Sequence, residues 1–243
     1  MRFVKLLLPM AVLAAPLAAQ GFEGTVSMNI PAADGSLSTV KYLTKGDQVA
    51  VLMTAGASMG PMAGAEMRMI IDVKGGKTTV LIPLTADMAT QFGAMGGGNM
   101  KGIKQVVDLN QVVGRVDTTT PEIKALGTSQ TIAGHKCNDF EVTARQEVTR
   151  VCLSTDFGSF TFPASGGGFG GRGRGGSGVP GWTQMLRSHP GYPLKAWTPS
   201  HDGKVIFEVT KIEKGSVPAS MFEIPEGFMD LGGMMGRGRG GGN

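Results

Sequence analysis

The sequence predicts a mainly β protein of the α+β class: one curved antiparallel sheet or half-barrel of about nine or ten strands, with a few short covering helices. Three observations predict it. Apolar residues recur with period two in many short segments. Those segments are bounded by turns rich in Gly, Pro, Asn and Asp. Few stretches carry a helical period, and the strand-helix alternation of a parallel sheet is absent.

Period two begins at once. Phe22, Val26, Met28 and Ile30 face one way, and Glu23, Thr25, Ser27 and Asn29 the other, as in a half-buried strand. Further strands are predicted over Leu37–Thr44, Gln48–Thr54, Glu66–Val73 and Lys77–Pro83, the last two joined by a tight turn at Lys74-Gly75-Gly76. In the fourth, Met67, Met69, Ile71 and Val73 alternate with Glu66, Arg68, Ile70 and Asp72. Ala86–Phe92 reads as a short helix, Gly93–Gly102 as a flexible glycine-methionine stretch and Ile103–Val113 as a helix. Strands resume at Glu122–Thr128, Lys136–Ala144 and Glu147–Ser154. Trp182–Ser188 has helical character between Pro180 and Pro190. Pro193–Ser200 and Lys204–Glu213 form a hairpin around His201-Asp202-Gly203, and Val217-Pro218 begins a turn into Phe222-Glu223-Ile224-Pro225.

Three segments stand outside this pattern. Residues 1–20 read as a secretory signal: a positive start at Arg2 and Lys5, an apolar run from Leu6 to Leu17, then Ala18-Ala19-Gln20. That run falls short of the roughly 20 residues that span a bilayer. Cleavage is expected after Ala19 or Gln20, with no cysteine following to carry a lipid. The mature chain is therefore expected to be exported, periplasmic or secreted, neither a lipoprotein nor held by a transmembrane anchor. Residues 166–178 are a Gly/Arg-rich flexible insertion, and 231–243 a disordered Gly/Met/Arg tail. The rest of 21–230 reads as a single β-rich domain.

The net charge of +4 is misleading. Setting aside Arg2 and Lys5, then Arg172, Arg174, Arg237 and Arg239 of the two Gly-Arg tracts, leaves 17 basic against 19 acidic residues. The basic pI belongs to the signal and the tracts, which argues against a nucleic-acid-binding face on the domain.

The two cysteines, Cys137 and Cys152, flank a β-prone stretch. A hairpin with Ala144-Arg145 at its tip sets them directly opposite one another, close enough for a disulfide. Export exposes the pair to oxidants. No CxxC or HxxxH spacing accompanies them, so a zinc site is not expected.

Catalytic motifs fail on context. Gly56-Ala57-Ser58-Met59-Gly60 fits G-x-S-x-G, but a nucleophile elbow must launch a helix, and Pro61 and Gly64 follow. Gly168–Gly173 fits G-x-G-x-x-G inside a glycine tract, with no strand before it and no helix after. His135, His189 and His201 lack ligand spacing. The methionines are more unusual. Met53, Met59, Met62, Met67 and Met69 cluster, and Met88, Met95 and Met100 follow. Thioethers are soft ligands for Cu(I), and they are also adaptable apolar filler.

Several blocks carry a family resemblance: Phe22-Glu23-Gly24-Thr25-Val26, Ile71-Asp72-Val73, Val80-Leu81-Ile82-Pro83, Ile132 to Val142, Phe207 to Lys214, and Phe222 to Phe228. Over most of 22–228 the chain resembles an exported bacterial family catalogued as a domain of unknown function, the one numbered forty-four twelve. That family is similar in pattern to the periplasmic lipoprotein carriers LolA and LolB. The resemblance implies a LolA-like half-barrel whose helix-covered concave face holds acyl chains. It carries over no catalytic residue. The glycine insertion interrupts the pattern, and Cys152 stands where the family often has a large apolar residue.

The expectation is an exported, non-enzymatic binding or carrier module without a cofactor, taking a lipid or other hydrophobic ligand or an envelope protein as partner, and no nucleic acid. Met28, Val51, Met53, Met69, Ile71, Val80 and Ile82 are the expected lining of its apolar groove. A Met-rich copper-handling protein and a scaffold without a small ligand are the alternatives.

Overall fold

The first strand, β1 (Gly24–Pro31), buries Val26, Met28 and Ile30 on one side, as its alternation predicts. The computed structural model describes residues 22–31, 35–94, 100–108, 120–144, 146–158, 160, 181–199 and 203–230. Residues 1–20, expected to be a signal, 166–178, expected to be an insertion, 231–243, expected to be a tail, and His201 and Asp202 lie outside them.

After β1 come β2 (Leu37–Lys45), β3 (Gln48–Thr54), β4 (Glu66–Asp72) and β5 (Lys77–Pro83). The helix α1 (Ala86–Ala94) and β6 (Gly102–Asp108) follow. Then come β7 (Glu122–Ile132), β8 (His135–Ala144), β9 (Glu147–Ser154), β10 (Tyr192–Thr198), β11 (Lys204–Lys214) and β12 (Phe228–Asp230). They form a single open, curved sheet of 12 strands, ordered β12-β6-β5-β4-β3-β2-β1-β11-β10-β9-β8-β7. Two meanders, β1–β6 and β7–β11, join where β1 pairs with β11. Every neighbour is antiparallel except β12 on β6. Besides α1, the described helices are 3-10 turns at Ala57–Met62, Gly181–Arg187 and Ala219–Phe222.

The strand count of nine or ten is corrected to 12, and the two extra strands belong together. Residues 102–108, expected as the start of a helix over Ile103–Val113, are β6; 109–113 lie outside the described residues. Ile103, Val106 and Val107 satisfy a helical spacing over so short a stretch, but hydrogen bonding to β5 on one side and β12 on the other decides for a strand. β12 itself has only three residues and no periodic signal. β7 also runs to Ile132 rather than Thr128.

The principal core lies on one face, here the inner face. It runs from Val26, Met28, Val40, Tyr42, Val51 and Ile71 in the first meander to Val142, Val151, Leu194, Ala196, Phe207 and Val209 in the second. The opposite, outer face carries a smaller cluster of Leu43, Ala50, Val217 and Phe222. That cluster exists because the chain after β11 crosses the outer face as a strap. Val217 N–H donates to Glu23 Oε1 (3.2 Å), and Lys45 Nζ donates to the Val217 carbonyl (3.4 Å). Arg68 Nη1 donates to the carbonyls of Ser220 (2.9 Å) and Met221 (3.5 Å). The strap ends at β6, where the Phe228 ring lies so near Gly102 that a Cβ there would stand 2.3 Å from it. Only glycine admits that approach.

The Cys137–Cys152 disulfide is present, with Cα atoms 5.3 Å apart. Its register differs from the expected one. β8 and β9 pair Ala144 with Glu147 and Asp139 with Cys152, so the tip moves beyond Ala144 and the cysteines are diagonal rather than directly opposed. A shift of two residues keeps every side chain on its face, which is why the bridge survives the error. A 5.3 Å separation remains within disulfide reach.

Candidate functional site

Register decides which side chains share a surface. Met28 on β1 stands opposite Val40 on β2, and Val40 opposite Met53 on β3. Tyr42 stands opposite Val51, Val51 opposite Met69 on β4, and Met69 opposite Val80 on β5. Ile71 faces Val49 and Thr78, and Ile82, two residues beyond Val80, faces Ile103 on β6. All seven expected groove residues therefore lie on the inner face. They do not share one degree of burial. Met28, Val51 and Ile71 are fully buried, whereas Met53, Met69, Val80 and Ile82 are half-buried. The first three belong to the core; the other four keep part of their apolar surface exposed.

An aromatic plug explains the partition. Phe160 packs its ring 5.4 Å from Tyr42 on β2 and 4.7 Å from Tyr192 on β10. The 3-10 turn Gly181–Arg187 buries Trp182 and Met185, with the Trp182 ring 5.6 Å from Phe207 on β11. These groups pack the core over β1, β2 and β9–β11. Over β3–β6 the inner face changes: Met53, Met67, Met69, Val80, Ile82 and Val107 are half-buried, and Gln105 is exposed. The accessible half is thus an apolar patch in the first meander.

Two hydroxyls on this core are conspicuous. Thr78 Oγ1 and Tyr192 Oη are buried and have no hydrogen-bond partner among the described residues. Burial pushes the Tyr192 phenol well above its ordinary value; burial, followed by the neighbouring Tyr192, does the same to Tyr42. Both phenols are held neutral, so neither is prepared as a base.

A concavity lies on the outer face beneath the strap. It is a cavity of about 240 Å³ lined by Leu52, Arg68, Leu81, Pro83, Met221 and Phe228, with Glu66 beside it. It is smaller than the roughly 300–1,000 Å³ of small-molecule sites. Its one guanidinium already donates to strap carbonyls.

The remaining motifs resolve as follows. Residues 56–60 enter a 3-10 turn kinked at Gly60 (φ 58°) and do not launch an α-helix; the Ser58 and Met59 side chains lie outside the described residues. His135 lies 3.6 Å from Asp156 through Nδ1 and packs edge-on to Phe157, while His189 meets Ser188 and Phe140. Among the described residues no three His, Cys, Asp or Glu side chains form a metal-binding group. Asp139, missed from sequence, is buried and accepts hydrogen bonds from Thr128 Oγ1 and Gln130 Nε2, each 2.8 Å. A bulge makes this possible: residues 126–128 stand against Asp139 alone, with Gly127 at φ 73°. Met67 was also missed as a groove residue. Its signal was available, since it shares parity with Met69 on β4.

Among solved structures, the chain is similar to two titled as structures of PNGF-II, one in a C2 and one in a P21 space group. Identity is 12% and 14%, with TM-score 0.43 in both; the likeness covers 88% and 90% of this chain. The chain spans about a third of the length of those proteins (32% and 33%). No curated protein matches it. The family model described as Domain of unknown function (DUF4412) matches residues 22–228, as the sequence blocks suggested, and the chain belongs to that family.

Proposed function

We propose that this protein is an exported, non-enzymatic carrier or binding module for a lipid-like hydrophobic ligand, held on the inner face of β3–β6. One observation carries the reading: an apolar patch of Met53, Met69, Val80 and Ile82 is left half-buried on the same face whose other half is closed by aromatic side chains. Half-buried apolar surface gains free energy when it is covered, at about 25 cal/mol for each Å² removed from water. Acyl chains suit such a surface because they require no polar partner. In the LolA-like half-barrel of the family resemblance, the corresponding face holds acyl chains. A disulfide suits an oxidising compartment. No described helix is long and apolar enough to cross a membrane.

The test is binding of a fluorescent acyl probe to the mature chain, together with native mass spectrometry after purification from the periplasm. Val80→Asp and Ile82→Asp place charge on the patch and are expected to weaken probe binding about tenfold or more, about 1.4 kcal/mol. Val106→Asp, at an exposed position on the outer face of β6, is expected to leave it unchanged. Absence of both a bound lipid and probe binding in the unmodified protein defeats the proposal.

A further inference from the structure

On β3 and β4 the inner face offers six positions, and they divide sharply. Val49, Val51 and Ile71 are buried and β-branched. Met53, Met67 and Met69 are half-buried, and all three are methionine. Where packing is complete the chain uses stiff branched side chains; where the face is accessible it uses thioethers. Packing alone does not call for that division, since Val80 and Ile82 fill equally accessible positions on the next strand.

The three thioethers are also neighbours. Met53 and Met67 are directly opposed across the β3–β4 ladder. Met69 is two residues from Met67 on the same face, diagonal to Met53. Cβ atoms at such positions lie about 5 to 7 Å apart. Metal-sulfur bonds of about 2.3 Å place three sulfurs around one ion roughly 4 Å from one another. Flexible methionine side chains close that difference without moving the backbone.

We propose that Met53, Met67 and Met69 form a three-thioether site for a soft monovalent cation, Cu(I). The chemistry of the surroundings selects the ion. The adjoining inner-face positions are Val40, Val51 and Val80. Glu66 and Arg68 alternate to the outer face. Among the described residues of this patch the donors are neutral sulfurs, with no carboxylate or imidazole to suit a hard divalent cation, whereas Cu(I) prefers thioether. Met53 and Met67 lie next to the β3–β4 connection that contains the turn Ala57–Met62. The site shares Met53 and Met69 with the proposed acyl-chain surface, and the two readings stay distinguishable because a metal readout and an acyl-probe readout report on different chemistry.

The experiment is titration of the mature chain with Cu(I) against a chromophoric Cu(I) chelator under anaerobic, reducing conditions, with copper X-ray absorption on the loaded protein. One Cu(I) bound through sulfur alone is the expected result. Met53→Leu, Met67→Leu and Met69→Leu keep size and apolarity, and circular dichroism verifies their fold. Each is expected to weaken binding at least about tenfold, the loss produced even by removing an outer partner of a metal ligand. Met62→Leu and Met100→Leu are expected to leave affinity unchanged. Failure of the unmodified protein to compete for Cu(I), oxygen or nitrogen ligands in the absorption spectrum, or full affinity in the folded triple variant overturns the site.

Discussion

Tyr42 and Tyr192 are the only tyrosines of the chain, and both are buried in the inner-face core. Burial disfavours the phenolate, so each is held above its ordinary pKa in the folded state. The unfolded chain then releases these protons first. Their neutral form is fully compatible with folding below about pH 10, and stability is lost as pH rises above that value. Each tyrosine contributes a slope of about 1.4 kcal/mol per pH unit in that window. Phenolate absorbance is therefore expected to stay silent in the folded protein and to rise in one step together with the loss of circular dichroism. Gradual titration of either tyrosine before unfolding would contradict the packing around Phe160. Sequence composition supplies the number of tyrosines, but their surroundings include Phe157 and Phe160, which lie outside any strand.

The β8–β9 hairpin shows how far an element can be read from its own residues. Alternation places its two strands, and the cysteine pair follows from them, yet the turn position is displaced by one residue and the pairing by two. Turn chemistry at Ala144-Arg145-Gln146 is weak, with no Gly or Asn to mark a tip, and Gln146 adopts φ 67° there because the surrounding ladder holds it. Both cysteines are at most 1% exposed. The bridge is expected to resist reductant in the folded protein and to open only with unfolding. Replacing both cysteines with alanine is expected to lower the free energy of unfolding by about 3 kcal/mol, from a loop with a sequence separation of 15 residues. Denaturant melts of the two proteins measure this, and a loss below about 1 kcal/mol would show that the hairpin is set without the bridge.

The described strands form one sheet with an inner core spanning both meanders, and this predicts a single cooperative transition. Val51→Ala on β3 and Val151→Ala on β9 each remove packing from a side chain at most 1% exposed and are each expected to cost about 2 kcal/mol. Hydrogen exchange of the core strands is expected to accelerate in both meanders for either variant. Two separate thermal transitions, or acceleration confined to the mutated meander, would show that the β1–β11 seam is a boundary between folding units.

Ten of the strands, the common face of Met28, Val51, Met53, Met69, Ile71, Val80 and Ile82, and the cysteine partnership were determined by the sequence itself. Each rests on local chemistry: period-two alternation, turn residues, or a face preserved under an even register shift. Tertiary structure decided the rest. β6 becomes a strand through its ladder with β5, and β12 through pairing with β6 across residues more than a hundred positions apart. The strap is legible only once Arg68, Lys45 and Glu23 are found beneath it. Of the seven residues expected to line a groove, Met28, Val51 and Ile71 are buried and Met53, Met69, Val80 and Ile82 half-buried, because alternation identifies which side a residue faces but not what covers it. Coverage is set by Phe160 and Trp182, contributed from loops and turns whose contacts leave no periodic trace in the chain.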